Sequence, residues 1–208
     1  YYVKLRNRIL EGNGGFVDNR IEPSPEKAHS GKKALRLQAV KPSFRMSITK
    51  ASLDTELLHF ASGSDFWFSG WFYLEEGRPT GILDIESSFI DQGPGMRVLF
   101  DENLHPRLEL KWAQKPTYYM SSGLGVAFPS KKWTHLILHL RISEKEDEGQ
   151  VELWLDKVKL IDAKGQTLPL DDTVYDRLQL GITANPKGTV TVLYVDDVIV
   201  SDKPLDID

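Results

Sequence analysis

Phe66-Trp67-Phe68-Ser69-Gly70-Trp71-Phe72-Tyr73-Leu74 is the stretch that decides the fold class. It is rich in aromatic residues, which favour a pleated, half-buried backbone. Successive side chains of a strand point to opposite faces. Phe66, Phe68, Gly70, Phe72 and Leu74 therefore share one side, and Trp67, Ser69, Trp71 and Tyr73 share the other. Similar short stretches recur along the chain at Ala34–Val40, Ile82–Glu86, Met96–Phe100, Leu108–Trp112, Trp133–Ile142, Val151–Leu160, Leu178–Thr183 and Thr189–Val200. Gly63, Gly77-Arg78-Pro79, Gly93-Pro94-Gly95, Pro129, Gly149, Gly165 and Pro186-Lys187-Gly188 separate them. Short alternating runs punctuated by turn residues are the pattern of an all-β sandwich or barrel. Helical periodicity is confined to Ser52–Phe60, where Ser52 or Asp54 would cap one short helix. No repeat or linker divides the chain, which predicts a single domain over residues 1–208.

The composition sets the function classes. Of 208 residues, 40% are hydrophobic and 27% charged, enough to bury a core without a staple. The net charge of -4 and the lack of a basic stripe exclude nucleic acid as the expected partner. Zero cysteines exclude thiol chemistry, disulfides and cysteine-based metal sites. No apolar run has the length of a membrane span. Since residue 1 is tyrosine, removal of a leader or tag is expected.

Two stretches carry a resemblance. Trp133-Thr134-His135-Leu136-Ile137-Leu138-His139-Leu140-Arg141-Ile142-Ser143, then Gly149 and Val151-Glu152-Leu153-Trp154-Leu155-Asp156, resembles the hairpin of heparin-lyase-like and glucuronan-lyase-like polysaccharide lyases. It is more loosely similar to the laminin-G-like hairpin. Leu178-Gln179-Leu180-Gly181-Ile182, with Val192-Leu193-Tyr194-Val195-Asp196-Asp197-Val198, looks like the ending of the same lyases. Phe66–Leu74 resembles a strand common to concanavalin A-like domains. The resemblance implies a two-sheet antiparallel jelly-roll β-sandwich with a sugar groove on one concave face. It also implies a catalytic tyrosine after the glycine–isoleucine pair, where this chain has Thr183, and a glutamine where Ile82–Ser87 supplies Asp84 or Glu86. The Ile82–Ser87 stretch is similar as well to the paired-acid strand of laminarinase-type glycosidases, but Ile82 stands at the nucleophile position.

By alternation and this resemblance, one groove is expected to gather Trp67, Trp71, Tyr73 and His135 with Asp84, Glu86, Arg97 and Lys111 as a substrate-binding surface. Aromatic rings stack on sugar C–H faces and charged forks hold hydroxyl pairs, so such a surface suits carbohydrate. His139 and Arg141, with Tyr119 from beside Pro116, are the candidate catalytic set if the chain is a lyase. Each has a plainer reading: the tryptophans packed under a loop, the histidines structural, and the acids paired with Arg97 and Lys111. Met96, Val98 and Phe100 are expected to pack against Leu108, Leu110 and Trp112.

Jelly rolls often hold a structural calcium, and Glu11, Asp196 and Asp197 are the candidate ligands. A catalytic zinc is not expected, because His135 and His139 on one strand lie more than ~10 Å apart. The expected function is therefore a carbohydrate-binding or carbohydrate-processing domain with a polysaccharide or oligosaccharide partner, secreted, periplasmic or at the cell surface. An active lyase with a rearranged site and a laminin-G-like protein-interaction domain are the alternatives.

Overall fold

The computed structural model describes residues 7, 10–12, 19–41, 49–112, 116–120, 125–186 and 188–207. Its strands run in chain order as β1 (Arg20–Ser24), β2 (Ala34–Ala39), β3 (Thr49–Thr55), β4 (Phe60–Ala61), β5 (Asp65–Glu76), β6 (Gly81–Glu86), β7 (Gly95–Phe100), β8 (Pro106–Lys111), β9 (Thr117–Met120), β10 (Trp133–Arg141), β11 (Gln150–Leu155), β12 (Val158–Lys164), β13 (Val174–Tyr175), β14 (Arg177–Asn185) and β15 (Thr191–Ser201). A seven-stranded sheet has the order β1-β2-β15-β5-β10-β11-β12, and a six-stranded sheet the order β3-β14-β6-β7-β8-β9. β4 and β13 form a short separate pair, and every ladder is antiparallel. The crossovers between the two sheets make this a jelly-roll sandwich.

The alternation in Phe66–Leu74 decides what lies between the sheets. Phe66, Phe68, Phe72 and Leu74 of β5, with Leu136, Leu138 and Leu140 of β10, meet Leu83, Ile85, Met96, Val98, Leu108 and Leu110 from the six-stranded sheet in one cluster. Burying each such side chain contributes about 1.5–3 kcal/mol, so this layer is the main source of stability. Trp112 stands apart from the expected arrangement. It lies one residue beyond β8, half-buried against the loop before β7 rather than in that cluster.

The helix expected over Ser52–Phe60 does not form. Residues 49–55 are β3, paired with β14 through Ser52↔Gly181, Leu53↔Leu180 and Asp54↔Gln179. A ladder with a long neighbour overrides the weak local helix preference of one turn. The extended run ends before Leu57, whose φ is 69°.

Two glycines are required by geometry. A Cβ on Gly95 would lie 1.9 Å from the Ile85 carbonyl oxygen, so β6 and β7 approach closely only because position 95 has none. Gly181 has a φ of 118°, and a Cβ there would lie 2.3 Å from Leu37 Cδ2. That residue sits where the β14–β6 register shifts between Leu180 and Ala184. The bulge re-aims Thr183, as bulges beside sites do.

Candidate functional site

The outward side chains of the six-stranded sheet form rows set by its register. Asp54, Gln179, Asp84, Arg97, Glu109 and Tyr118 stand opposite one another in turn across β3, β14, β6, β7, β8 and β9. Beside that row, Arg177 is opposite Glu86, Glu86 opposite Gly95, and Gly95 opposite Lys111. Strands lie about 4.8 Å apart, so neighbouring members of a row are within side-chain reach. At the β3 side the row opens into a cleft of about 670 Å³, lined by Asn19, Ile21, Lys50, Asp54, Arg177 and Gln179 among others.

Most charges on this face are matched. Arg97 donates from Nε and a terminal nitrogen to Glu109 Oε2, the first at 2.9 Å. Arg177 does the same to Glu86 Oε2, with Nε at 3.1 Å. Lys111 Nζ reaches Glu86 Oε1 at 3.9 Å and donates to the Gly93 carbonyl at 3.1 Å. Lys50 Nζ has a looser partner, the Gln179 side-chain oxygen at 3.4 Å. Burial holds the Lys111 ammonium below its ordinary range despite Glu86.

Asp84 is the exception in the middle of the row. It is 3% exposed and, among the described residues, receives one hydrogen bond, from the Thr183 hydroxyl at 3.0 Å. Burial, and then the nearby Glu86 charge, push its carboxyl up to about 6, against the pull of Arg97, Lys50 and Thr183. A carboxyl that changes charge near neutrality can accept a proton and return it.

The structure splits the groove expected from sequence. Asp84, Glu86, Arg97 and Lys111 share the outer face of the six-stranded sheet. Trp67, Trp71, Tyr73, His135, His139 and Arg141 belong to β5 and β10, on the outer face of the other sheet, with the core between. There Trp71 is closed on both sides, by His29 at 3.7 Å and by His135 at 4.7 Å between ring centres. Trp67 packs against Ile137 and Trp154 beneath Leu205 and Ile207, and stacks on His139 at 4.1 Å. Both His139 ring nitrogens face carboxylates, Nδ1 to Glu152 at 2.7 Å and Nε2 to Asp65 at 2.9 Å. Arg141 pairs with the same Asp65, and Tyr73 packs edge-on against Trp133 and Tyr194. Burial lowers the His135 imidazole, whose Nε2 contacts Ser69 Oγ at 2.7 Å. These side chains are packed against one another, and the indole N–H of Trp67 is buried without a hydrogen-bond partner among the described residues.

Tyr119 is also in neither groove. It is buried in the core, its hydroxyl donates to the Gln166 carbonyl at 2.6 Å, and burial pushes it up to about 12. The register that sets Leu108 opposite Tyr119 turns Tyr118 outward instead. Its hydroxyl reaches Glu109 Oε1 at 3.3 Å.

The profile of the family described as "Polysaccharide lyase" matches residues 6–199. The chain belongs to the polysaccharide lyase family. It is a carbohydrate-binding or carbohydrate-processing domain. No curated protein matches the sequence. Among solved structures, an endo-β-1,4-glucuronan lyase from the fungus Trichoderma reesei is similar with a TM-score of 0.72 at 14% identity, over 90% of this chain and 88% of that one. The cellulose induced protein Cip1 follows with a TM-score of 0.65 at 12% identity, over 89% and 86%. The alginate lyase Aly36B has a TM-score of 0.59 at 8% identity, over 85% and 84%. At these identities the likeness establishes the concanavalin A-like jelly roll.

Within this lyase-family fold, sequence reasoning missed Gln179, Lys50 and Arg177. Gln179 lies beside Asp84 on β14, so a glutamine does stand in the central row, on a different strand from the expected one. The available signal was the alternation of Leu178-Gln179-Leu180, which turns Gln179 out. For calcium, Glu11 is exposed in an N-terminal turn, and its backbone amide donates to the Asn7 carbonyl. Asp196 accepts from the amides of His29, Ser30 and Asp197, while Asp197 contacts the His29 ring at 2.7 Å and the Ser30 hydroxyl at 2.6 Å. Those carboxylate oxygens are all engaged by the chain itself, so the donor set does not fit an ion. Among the described residues no group of three His, Asp or Glu side chains is placed to hold a metal, and no helix is long and apolar enough to cross a membrane.

Proposed function

We propose that the chain cleaves a uronate-containing polysaccharide by β-elimination on the outer face of the six-stranded sheet, with Asp84 as the proton-transferring group. The observation that carries this reading is the buried, singly hydrogen-bonded Asp84 carboxyl at the centre of a charged row. Gln179 and Lys50, adjoining it, supply donors for the uronate carboxylate, which makes the neighbouring carbon more acidic. Asp84, ionised above about pH 6, takes the proton from that carbon. The electron pair forms the new double bond, the bond to the glycosidic oxygen on the next carbon breaks, and the Asp84 carboxyl returns the proton to that oxygen. Thr183 keeps Asp84 oriented through its 3.0 Å hydrogen bond. On the same reading the protein works where polysaccharide lies, at a cell surface, in a periplasm or secreted.

A binding module without cleavage is the second reading. It is favoured by the pairing of Arg97, Arg177 and Lys111 with carboxylates of the chain itself. Incubation with a panel of uronate and neutral polysaccharides, reading ultraviolet absorbance of unsaturated ends together with retention, separates the two. The lyase reading expects absorbance from a uronate polymer and a loss of about 10²-fold or more for Asp84→Asn. Retention without absorbance moves the conclusion to the binding module. Full activity in Asp84→Asn overturns the role of Asp84.

A further inference from the structure

Among the described residues, Arg97, Arg177 and Lys111 on the face that carries Asp84 are committed to its own acids, which leaves Lys50 beside Asp84 as its cation without a carboxylate partner. Lys50 serves the sugar over Asp84, so the charge of a flanking sugar needs cations elsewhere along the same sheet. Arg107 and Arg78 meet that need. Arg107 leaves β8 two residues before Glu109, on the same outward side, opposite Leu99 of β7 and Met120 of β9. Its Nε is buried and has no hydrogen-bond partner, and its guanidinium lies 5.0 Å above the Tyr118 ring. Arg78, exposed in the turn before β6, donates to the Glu102 carbonyl at 3.1 Å. Neither arginine makes an ion pair with a carboxylate among the described residues.

Both arginines line one cleft of about 310 Å³ with Thr80, Asp101, Glu102 and Pro186. Arg107 and Asp101 also border the adjoining cleft of about 330 Å³ that contains His105 and Met120. The acids present do not close the site. Asp101 already accepts from the His105 amide at 2.9 Å and the Asn103 amide at 2.8 Å, and contacts the His105 ring at 3.0 Å. Glu102 offers its backbone oxygen, not its carboxylate, to Arg78.

We propose that Arg107 and Arg78 form an anion subsite that holds the carboxylate of a uronate residue flanking the one over Asp84. A guanidinium presents pairs of parallel donors, the fork that fits a carboxylate, and Arg107 lines both clefts. Two strand spacings and two residues along the strand separate Asp84 on β6 from Arg107 on β8, about 12 Å, too far for both to act on one sugar ring. The inference rests on the polysaccharide lying across this face, and it adds the source of charge selection. Tyr118, beneath Arg107, steadies the guanidinium by a cation–π contact.

The test is equilibrium binding of an Asp84→Asn protein, which prevents turnover, to a uronate polysaccharide and to the same polymer with its carboxyls reduced to alcohols. Arg107→Gln and Arg78→Gln, each added singly, are expected to weaken binding of the uronate polymer about ten-fold or more and to flatten its salt dependence. Neither should change binding of the reduced polymer. Arg78 is exposed, so its variant reports on the subsite even if Arg107→Gln disturbs packing, which thermal unfolding would reveal. Arg107→Lys should fail to restore affinity, because an ammonium lacks the fork. Unchanged uronate binding in both glutamine variants, with binding still lost in Gln179→Ala, overturns the subsite and leaves the proposed function standing. No binding of any uronate polymer by the parent protein overturns both. A sulfated neutral polymer that binds more tightly than the uronate one, in an Arg107-dependent way, replaces carboxylate by sulfate and overturns the assignment as stated.

Discussion

Replacing Asp84 by asparagine should make the protein more stable and, on the proposed mechanism, impair cleavage, and the gain in stability should depend on pH. In the unfolded chain this carboxyl ionises near 3.8, whereas burial moves it to about 6 in the fold. The folded state thus binds the proton more tightly, and stability falls as pH rises from about 4 through 6 and is then flat. The difference corresponds to about 3 kcal/mol against the ionised fold above that window. Asparagine keeps the acceptor for Thr183 Oγ1, but an added N–H without a partner would return about 1–2 kcal/mol of that gain. The pH dependence survives this subtraction, because the amide does not titrate. The variant's advantage should grow by about 2 kcal/mol between pH 4 and pH 8. In urea that is a further shift of the midpoint by about 1 M for a chain of this size. Equilibrium urea unfolding of both proteins at the two pH values measures it. An advantage that is equal at both pH values, or a wild type that matches the variant at pH 8, would refute the argument that a buried, poorly solvated charge sits at the centre of the row.

Three further outcomes follow from the packing. Trp71→Ala should leave polysaccharide retention unchanged, since His29 and His135 already cover both ring faces, while costing about 3 kcal/mol or more in urea unfolding. Tyr119→Phe should leave any polysaccharide cleavage or retention unchanged and lose about 1 kcal/mol of stability, the worth of its hydrogen bond to Gln166. Gly95→Ala should fail to fold or lose several kcal/mol, because its Cβ has nowhere to go beside the Ile85 carbonyl; a wild-type circular dichroism melt would contradict that.

Alternation read from single stretches assigned the sides of strands correctly. Phe66, Phe68 and Phe72 do pack inward, and Trp67 and Trp71 do point away from them. It could not say which sheet a strand joins, because that depends on pairing between distant segments. β5 joins β15 and β10, whereas β6 joins β14 and β7. Alternation alone therefore merges the aromatic and histidine set with Asp84, Glu86, Arg97 and Lys111, although the core separates them. Thr117-Tyr118-Tyr119-Met120 shows the same limit at smaller scale. Two adjacent tyrosines have opposite fates, and only the register with Leu108 tells them apart. The misread segment 52–60 had a helix-like local pattern, and its pairing partner in β14 lies far along the chain.

The position of β15 has a consequence for how the protein is made. It lies in the interior of the seven-stranded sheet, with Leu193 opposite Leu37 of β2 on one side and Tyr194 opposite Tyr73 of β5 on the other. A ribosome has translated the other strands of that sheet before β15 emerges. Until then β2 and β5 each present an unpaired, apolar edge. Folding dominated by such distant pairings is slow, and open edges invite association with other chains. The jelly roll thus closes only after residue 201 has been synthesised, and up to that moment the edges that β15 will join are open to other chains.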